Sequence, residues 1–390
     1  MVVFHHYVGY GGGPGLGPDH WGSAWGGPAS NVFHRSSLIG AYLWTGVCLF
    51  FVISGFVICM SSWGRTLGNF FTSRVTRLYP AYWLAVIAST VVLTLWPVVR
   101  RPLGLNDVLM NLTMIQESMH ITDVDAVYWT LWIELRFYIL FALVVWKGVT
   151  YRKVVAFCLL WTVAGMAAST ASWPALELFA MPQVSPFFVA GLAYYLMYRY
   201  RPNALLWAIV GFSWILSTRY VVVHQAEIAP ALGRAVAPPT WPAVALVTLS
   251  YLVMAVVALG WASRIQWRWL TVAGSLTYPF YLLHEEIGWT AIRQFRHAIP
   301  PWPLVGLVTA GMLLAAWLVH RLVERPLSRL LKSGITRSLD QLRAAEPPSA
   351  PAPSVSPPSA PAPVPVPLGQ PDLVGAGLPG LPGQGDRPAG

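Results

Sequence analysis

LIGAYLWTGVCLFFVISGFVICM, residues 38–60, decides the fold, because it runs for 23 residues without one Asp, Glu, Lys or Arg. A helix of that length, rising about 1.5 Å per residue, crosses a hydrocarbon core about 30 Å thick. Working outward, further apolar runs near 79–99, 128–146, 154–171, 184–198, 204–223, 242–262, 270–291 and 302–320 make nine complete spans. Before them, Met1 to Tyr10 reads as the second half of a tenth. Composition agrees: 10% of the 390 residues are charged and 56% are apolar, against about 25% charged in a soluble domain. An ordinary soluble globular protein is therefore excluded. The expected fold class is an all-α integral membrane protein, a bundle of about ten transmembrane helices with the first truncated.

The formal charge of +10 comes from basic residues scattered between the spans. They form no patch with interleaved aromatics, so no nucleic-acid partner is expected, and they read as topology signals in a lipid bilayer. Alternate loops hold 16 Lys and Arg on one side and 7 on the other, counting Arg219 near the outer end of its span with the latter. That bias predicts a multi-pass membrane protein with both termini, the C-terminus included, cytoplasmic. Cys48, Cys59 and Cys158 lie inside apolar runs without metal-ligand spacing, so neither disulfides nor a metal site is expected.

Three segments read as non-membrane. Residues 11–31 begin Gly11-Gly12-Gly13-Pro14-Gly15, a flexible outer loop. Residues 100–127 carry Asp107, Glu117, Asp123 and Asp125, an acidic outer loop able to cover a substrate entrance. The division expected is a membrane-embedded domain, 1–343, and a disordered Pro/Ala/Gly-rich cytoplasmic tail, 344–390, which holds 14 of the 33 prolines.

Ionisable groups inside spans are costly, so each is a site by default. His5 and His6 sit in the half-helix. Burial favours neutral imidazole, the form that takes a proton from a hydroxyl; a structural histidine bonding a neighbouring helix is the alternative. Arg74 and Arg77, three apart, share a helix face and suit phosphates or positive-inside anchoring equally well. Glu134 lies mid-span and must be paired or protonated. Arg136, two residues on, is not its same-face partner, so Glu134 points to another helix. His284, towards the outer end of its span, suits acceptor contact or packing.

Five blocks then match a family in order: Phe4-His5-His6; Phe50-Phe51-Val52-Ile53-Ser54-Gly55-Phe56; Arg74-x-x-Arg77-Leu78-Tyr79-Pro80; Tyr128-Trp129-Thr130-Leu131-Trp132-Ile133-Glu134; and Ser275-Leu276-Thr277-Tyr278-Pro279-Phe280-Tyr281-Leu282-Leu283-His284. Over Met1 to about Leu331 the chain resembles the bacterial integral-membrane acyltransferase family 3. The resemblance implies transfer of an acyl group, acetyl above all, from cytoplasmic acyl-CoA to a hydroxyl of a carbohydrate or secreted metabolite. The acyl-CoA is a donor substrate, and no permanently bound cofactor is implied. It further implies His5 as the catalytic base, His6 being the alternative if the register shifts by one. Arg74 and Arg77 would hold the CoA phosphates, Glu134 would polarise or orient beside His5, and His284 would face the acceptor. The family's Arg, about three turns before the histidine, would fall upstream of Met1, so a reading frame beginning further upstream is expected. Competing readings are a secondary transporter of a polar metabolite or glycan, disfavoured by the lack of repeated halves, and a catalytically impaired partner in envelope assembly.

Overall fold

The computed structural model describes residues 1–12, 20–171, 173–228, 232 and 238–345. Residues 1–343 form one compact unit. The described residues form helices and no strand; His20 and Arg100 make an isolated bridge. The chain opens with α1 (Val2–Phe4), which widens into a π-helix over His5–Tyr10. There follow α2 (Ser30–Gly40), α3 (Gly46–Ser62), α4 (Leu67–Leu95), α5 (Leu105–Asn111), α6 (Trp129–Val145), α7 (Tyr151–Ala171) and α8 (Pro174–Ala180). The rest are α9 (Ser185–Tyr200), α10 (Ala204–Glu227), α11 (Trp241–Ala258), α12 (Arg268–Leu283), α13 (Glu286–Phe295), α14 (Pro301–Val319) and α15 (Arg325–Ala345).

Eight helical stretches among the described residues, from Leu43–Ser62 to Pro301–Ser338, are long and apolar enough to cross a bilayer. Their outward faces are bare hydrocarbon: Leu143, Leu160 and Leu307 are 67%, 71% and 60% exposed. Such a surface would aggregate in water and is at home in lipid. The protein is a multi-pass, all-α membrane bundle.

Where the sequence reads as one span over 270–291, the helix is broken. After α12, the chain unwinds at His284-Glu285 and restarts as α13. Pro279 has already removed one helical hydrogen bond, and three consecutive polar residues cannot all face lipid. The break turns His284, Glu285 and Glu286 inward, where all three are buried.

α9 is the central helix, with every side chain from Ser185 to Met197 buried. α3 crosses it where Gly55 meets Gly191, and a Cβ on either would overlap the other helix's backbone. In α4, Pro80 leaves the carbonyl of Thr76 without its helical donor; Ser328 Oγ, from α15, donates to it at 2.6 Å. Of the loop expected over 11–31, residues 13–19 lie outside the described residues. Residues 20–29 pack rather than hang free, because Trp25 is buried and its Nε1 donates to the Tyr7 carbonyl at 2.7 Å. From residue 346 on, the expected tail lies outside the described residues.

Candidate active site

The half-helix is held against α2 at a contact of two glycines, Gly9 and Gly40, neither of which has room for a Cβ. That closeness brings His5 Nδ1 to 2.8 Å from the Gly40 carbonyl. A carbonyl only accepts, so Nδ1 carries the proton and Nε2 keeps its lone pair. No hydrogen bond among the described residues engages Nε2. Tyr10, one π-turn on, lies parallel to the His5 ring at 6.1 Å between centroids.

His6 belongs to a second chain of bonds. His284 Nδ1 donates to the Tyr281 carbonyl at 2.7 Å, which leaves its Nε2 to accept, and His6 Nδ1 lies 3.1 Å from that nitrogen. The Glu285 carboxylate is 3.4 Å from the same His6 atom. Groups freed by the break between α12 and α13 are answered from elsewhere. Tyr7 OH donates to the His284 carbonyl, and the Glu286 amide donates to Asp125 Oδ2 at 3.1 Å. Irregular backbone at membrane depth is tolerated only when its polar groups are met in this way.

Between these elements lies a cavity of about 320 Å³. Its lining combines polar side chains, among them His5, His6, Tyr10, Tyr220, His224, Tyr281 and Glu285, with apolar ones, among them Trp44, Phe51, Trp129, Val184 and Phe187. His224 packs its ring on Trp44 at 4.5 Å. Ala126 and Val127, at the end of the acidic loop, also line the cavity, so this loop does reach the chamber. Burial pushes the carboxyls of Asp123 and Asp125, in that loop, up to about 8, and Glu286 beside Asp125 adds to its rise. Sequence reasoning gave no role to Trp44, Trp129, Tyr10, Tyr220, His224 or Tyr281. The signal for His224 was its place at the end of an apolar run; the aromatics carry no signal that separates a cavity wall from an interfacial anchor.

Arg74, Arg77 and Glu134 form a different group. Arg74 is buried and donates to Ser61 Oγ at 2.9 Å and Ser73 Oγ at 3.2 Å, with its guanidinium 5.9 Å from the Tyr138 ring centroid. Arg77, one helical turn on, is exposed. Glu134 does point to another helix: Ser54 Oγ donates to it at 2.7 Å, and so does Tyr138 OH from its own helix. It is not among the residues lining the cavity that holds His5, to which this segment contributes Val127 and Trp129. Glu134 and Arg74 both approach Tyr138. His284 supports His6 through its ring, and the cavity wall beside it is formed by Glu285 and Tyr281.

A membrane bundle that encloses a histidine-lined chamber defines an integral-membrane enzyme or carrier. A family model described as an acyltransferase domain, acyltransferase family 3, matches residues 1–321, and the chain belongs to that family. Neither the curated proteins nor the solved structures compared with the chain gave a match.

Proposed function

We propose that this membrane acyltransferase transfers an acyl group, acetyl in the first instance, from cytoplasmic acyl-CoA to a hydroxyl of a carbohydrate or other envelope or secreted acceptor. The observation that carries the reading is the state of His5: its proton is held on Nδ1 by Gly40, and its free Nε2 stands in a chamber large enough for reacting groups. The acceptor hydroxyl gives its proton to Nε2 as its oxygen attacks the thioester carbonyl. The tetrahedral intermediate collapses, the C–S bond breaks, and the departing CoA thiolate takes the proton back from His5. Ester and free CoA result, with no net proton change.

Arg74 and Arg77, on the face assigned to the cytoplasm, supply positive charge for the CoA phosphates. Glu134 keeps Arg74 from standing as an isolated buried charge, with Tyr138 between them. The test is to incubate the full chain in nanodiscs with acetyl-CoA and an extract of envelope glycans, following free thiol and acetylated product. Time-dependent CoA release that His5→Ala abolishes supports the reading; no release by the folded wild type with any acyl-CoA sinks it.

A further inference from the structure

We infer that Glu285 acts through His6 as the counter-charge of the histidine pair, a positioning residue for acyl transfer. The inference rests on the reading above. Glu285 is 4% exposed at its side chain, yet it lines the cavity. Its Oε1 is 3.4 Å from His6 Nδ1, and its buried Oε2 receives no hydrogen bond from an amide, amine or alcohol group among the described residues, with the Asp125 carboxyl beside the side chain. His6 and His5 lie 5.3 Å apart by ring centroids, so the carboxylate, His6 and His5 follow one another along the chamber wall.

A carboxylate this deep needs a positive partner. Arg100 is nearest Glu286: its Nη1 donates to the carbonyls of Asp123 and Val124 and lies 3.4 Å from Glu286 Oε1. His20 Nε2 also goes to Glu286, at 2.7 Å. Glu286 therefore has two basic neighbours, and His6 is the basic group within ion-pair distance of Glu285. The other charged or titratable groups around it are His284 and Glu286 on its own segment, Asp125 before α6, Tyr281 on α12, and Tyr7 and Tyr10 on the half-helix.

The consequence for chemistry follows from charge. When the hydroxyl proton reaches His5, an imidazolium appears in a buried site, where a fixed opposite charge counts for more than in water. Glu285 supplies that charge through the intervening His6 ring. His284 accepts from His6 Nδ1 and so fixes the ring's orientation.

The experiment measures CoA release from acetyl-CoA by the full chain in nanodiscs between about pH 5.5 and 9. Glu285→Gln is expected to lower kcat by about tenfold to a hundredfold with the acetyl-CoA KM within about twofold. It should also move the acidic limb of the profile to lower pH by about one unit, because a lost negative charge lowers a neighbouring imidazole's proton affinity. Glu285→Asp should keep the limb and most of the rate. Wild-type kcat and limb in Glu285→Gln overturn the inference, as does equal loss in Gln and Asp variants with an unmoved limb, the mark of a packing role. If Glu285→Gln yields no folded protein, His6→Gln decides: a kcat at least tenfold lower at constant donor KM supports it, and wild-type kcat overturns it. A wild type without CoA release would defeat acyl transfer itself, whereas an active wild type with undiminished variants defeats this inference alone.

Discussion

Gly40→Ala tests whether the contact of the half-helix with α2 sets the rate. A Cβ at Gly40 would stand 2.5 Å from the Gly9 Cα, whereas carbon atoms in contact settle at about 3.5–4.0 Å. One of the two segments must withdraw by about 1 Å. The 2.8 Å bond from His5 Nδ1 to the Gly40 carbonyl then passes beyond hydrogen-bond length, and the imidazole loses the partner that fixed its tautomer. Misplacement by about 1 Å costs about 10²-fold in rate, or about 2.7 kcal/mol of barrier. The same overpacking costs about 1–3 kcal/mol of stability, which leaves a spanning bundle inserted. The assay is thiol release from acetyl-CoA by detergent-purified variant and wild type matched for monodisperse protein, with kcat and donor KM resolved separately. We expect kcat near one hundredth of wild type at a donor KM within twofold. A Gly40→Ala protein with kcat within threefold of wild type would refute the claim that Gly40 orients the base.

His5→Ala should abolish turnover while the protein still inserts and purifies, since an apolar side chain suits the half-helix; full activity of His5→Ala with a dead His6→Ala would move the base by one residue. Arg77→Ala should raise the acyl-CoA KM by about tenfold without altering melting, while Arg74→Ala should raise it and also lower the melting temperature, because Arg74 is buried on Ser61. Unchanged KM in both would reduce the pair to topology anchors. Ser328→Ala strands the Thr76 carbonyl that Pro80 freed, and should cost about 1 kcal/mol, read as a lower melting temperature that Pro80→Ala in the same chain restores. Because burial raises Asp123 and Asp125 to about 8, the folded protein binds more protons than the unfolded chain between about pH 4 and 8. Stability therefore falls as pH rises through that window, by at most about 1.4 kcal/mol per unit for each proton. Asp123→Asn should flatten the decline in melting temperature, and equal slopes would show Asp123 ionised at neutrality.

The bundle was legible because lipid imposes length and apolarity on every span, and both are properties of a run of residues. The helix break was not legible in the same way. A hydropathy average over 270–291 is dominated by its leucines and aromatics, so His284-Glu285-Glu286 reads as three exceptions in a continuous helix. Their cost was visible, and the answer to it was not: it depends on Asp125 and Tyr7, which are 161 and 277 residues away in the chain. A break of this kind is decided by partners that no local window contains.

Site residues divide along the same line. His5 was legible as a buried titratable group at a costly depth, whereas its chemical state was not, because the tautomer is fixed by a carbonyl whose approach requires Gly9 and Gly40 to meet. Glu134 shows the converse. Its depth required a partner on another helix, and the partner is Ser54; the cavity that His5 lines is bordered by Val127 and Trp129, earlier in that segment, and not by Glu134. Depth in the membrane is thus readable from position along a span, and azimuth is not, since a helix apolar on all faces gives no stripe to orient it. Arg74 and Arg77 fall under the same argument: spacing places them within one turn, and only packing of α4 against Ser61 and Tyr138 decides that one turns inward and the other stays in contact with solvent. Assignments that need depth alone therefore survive in this fold, and those that need direction have to come from its contacts.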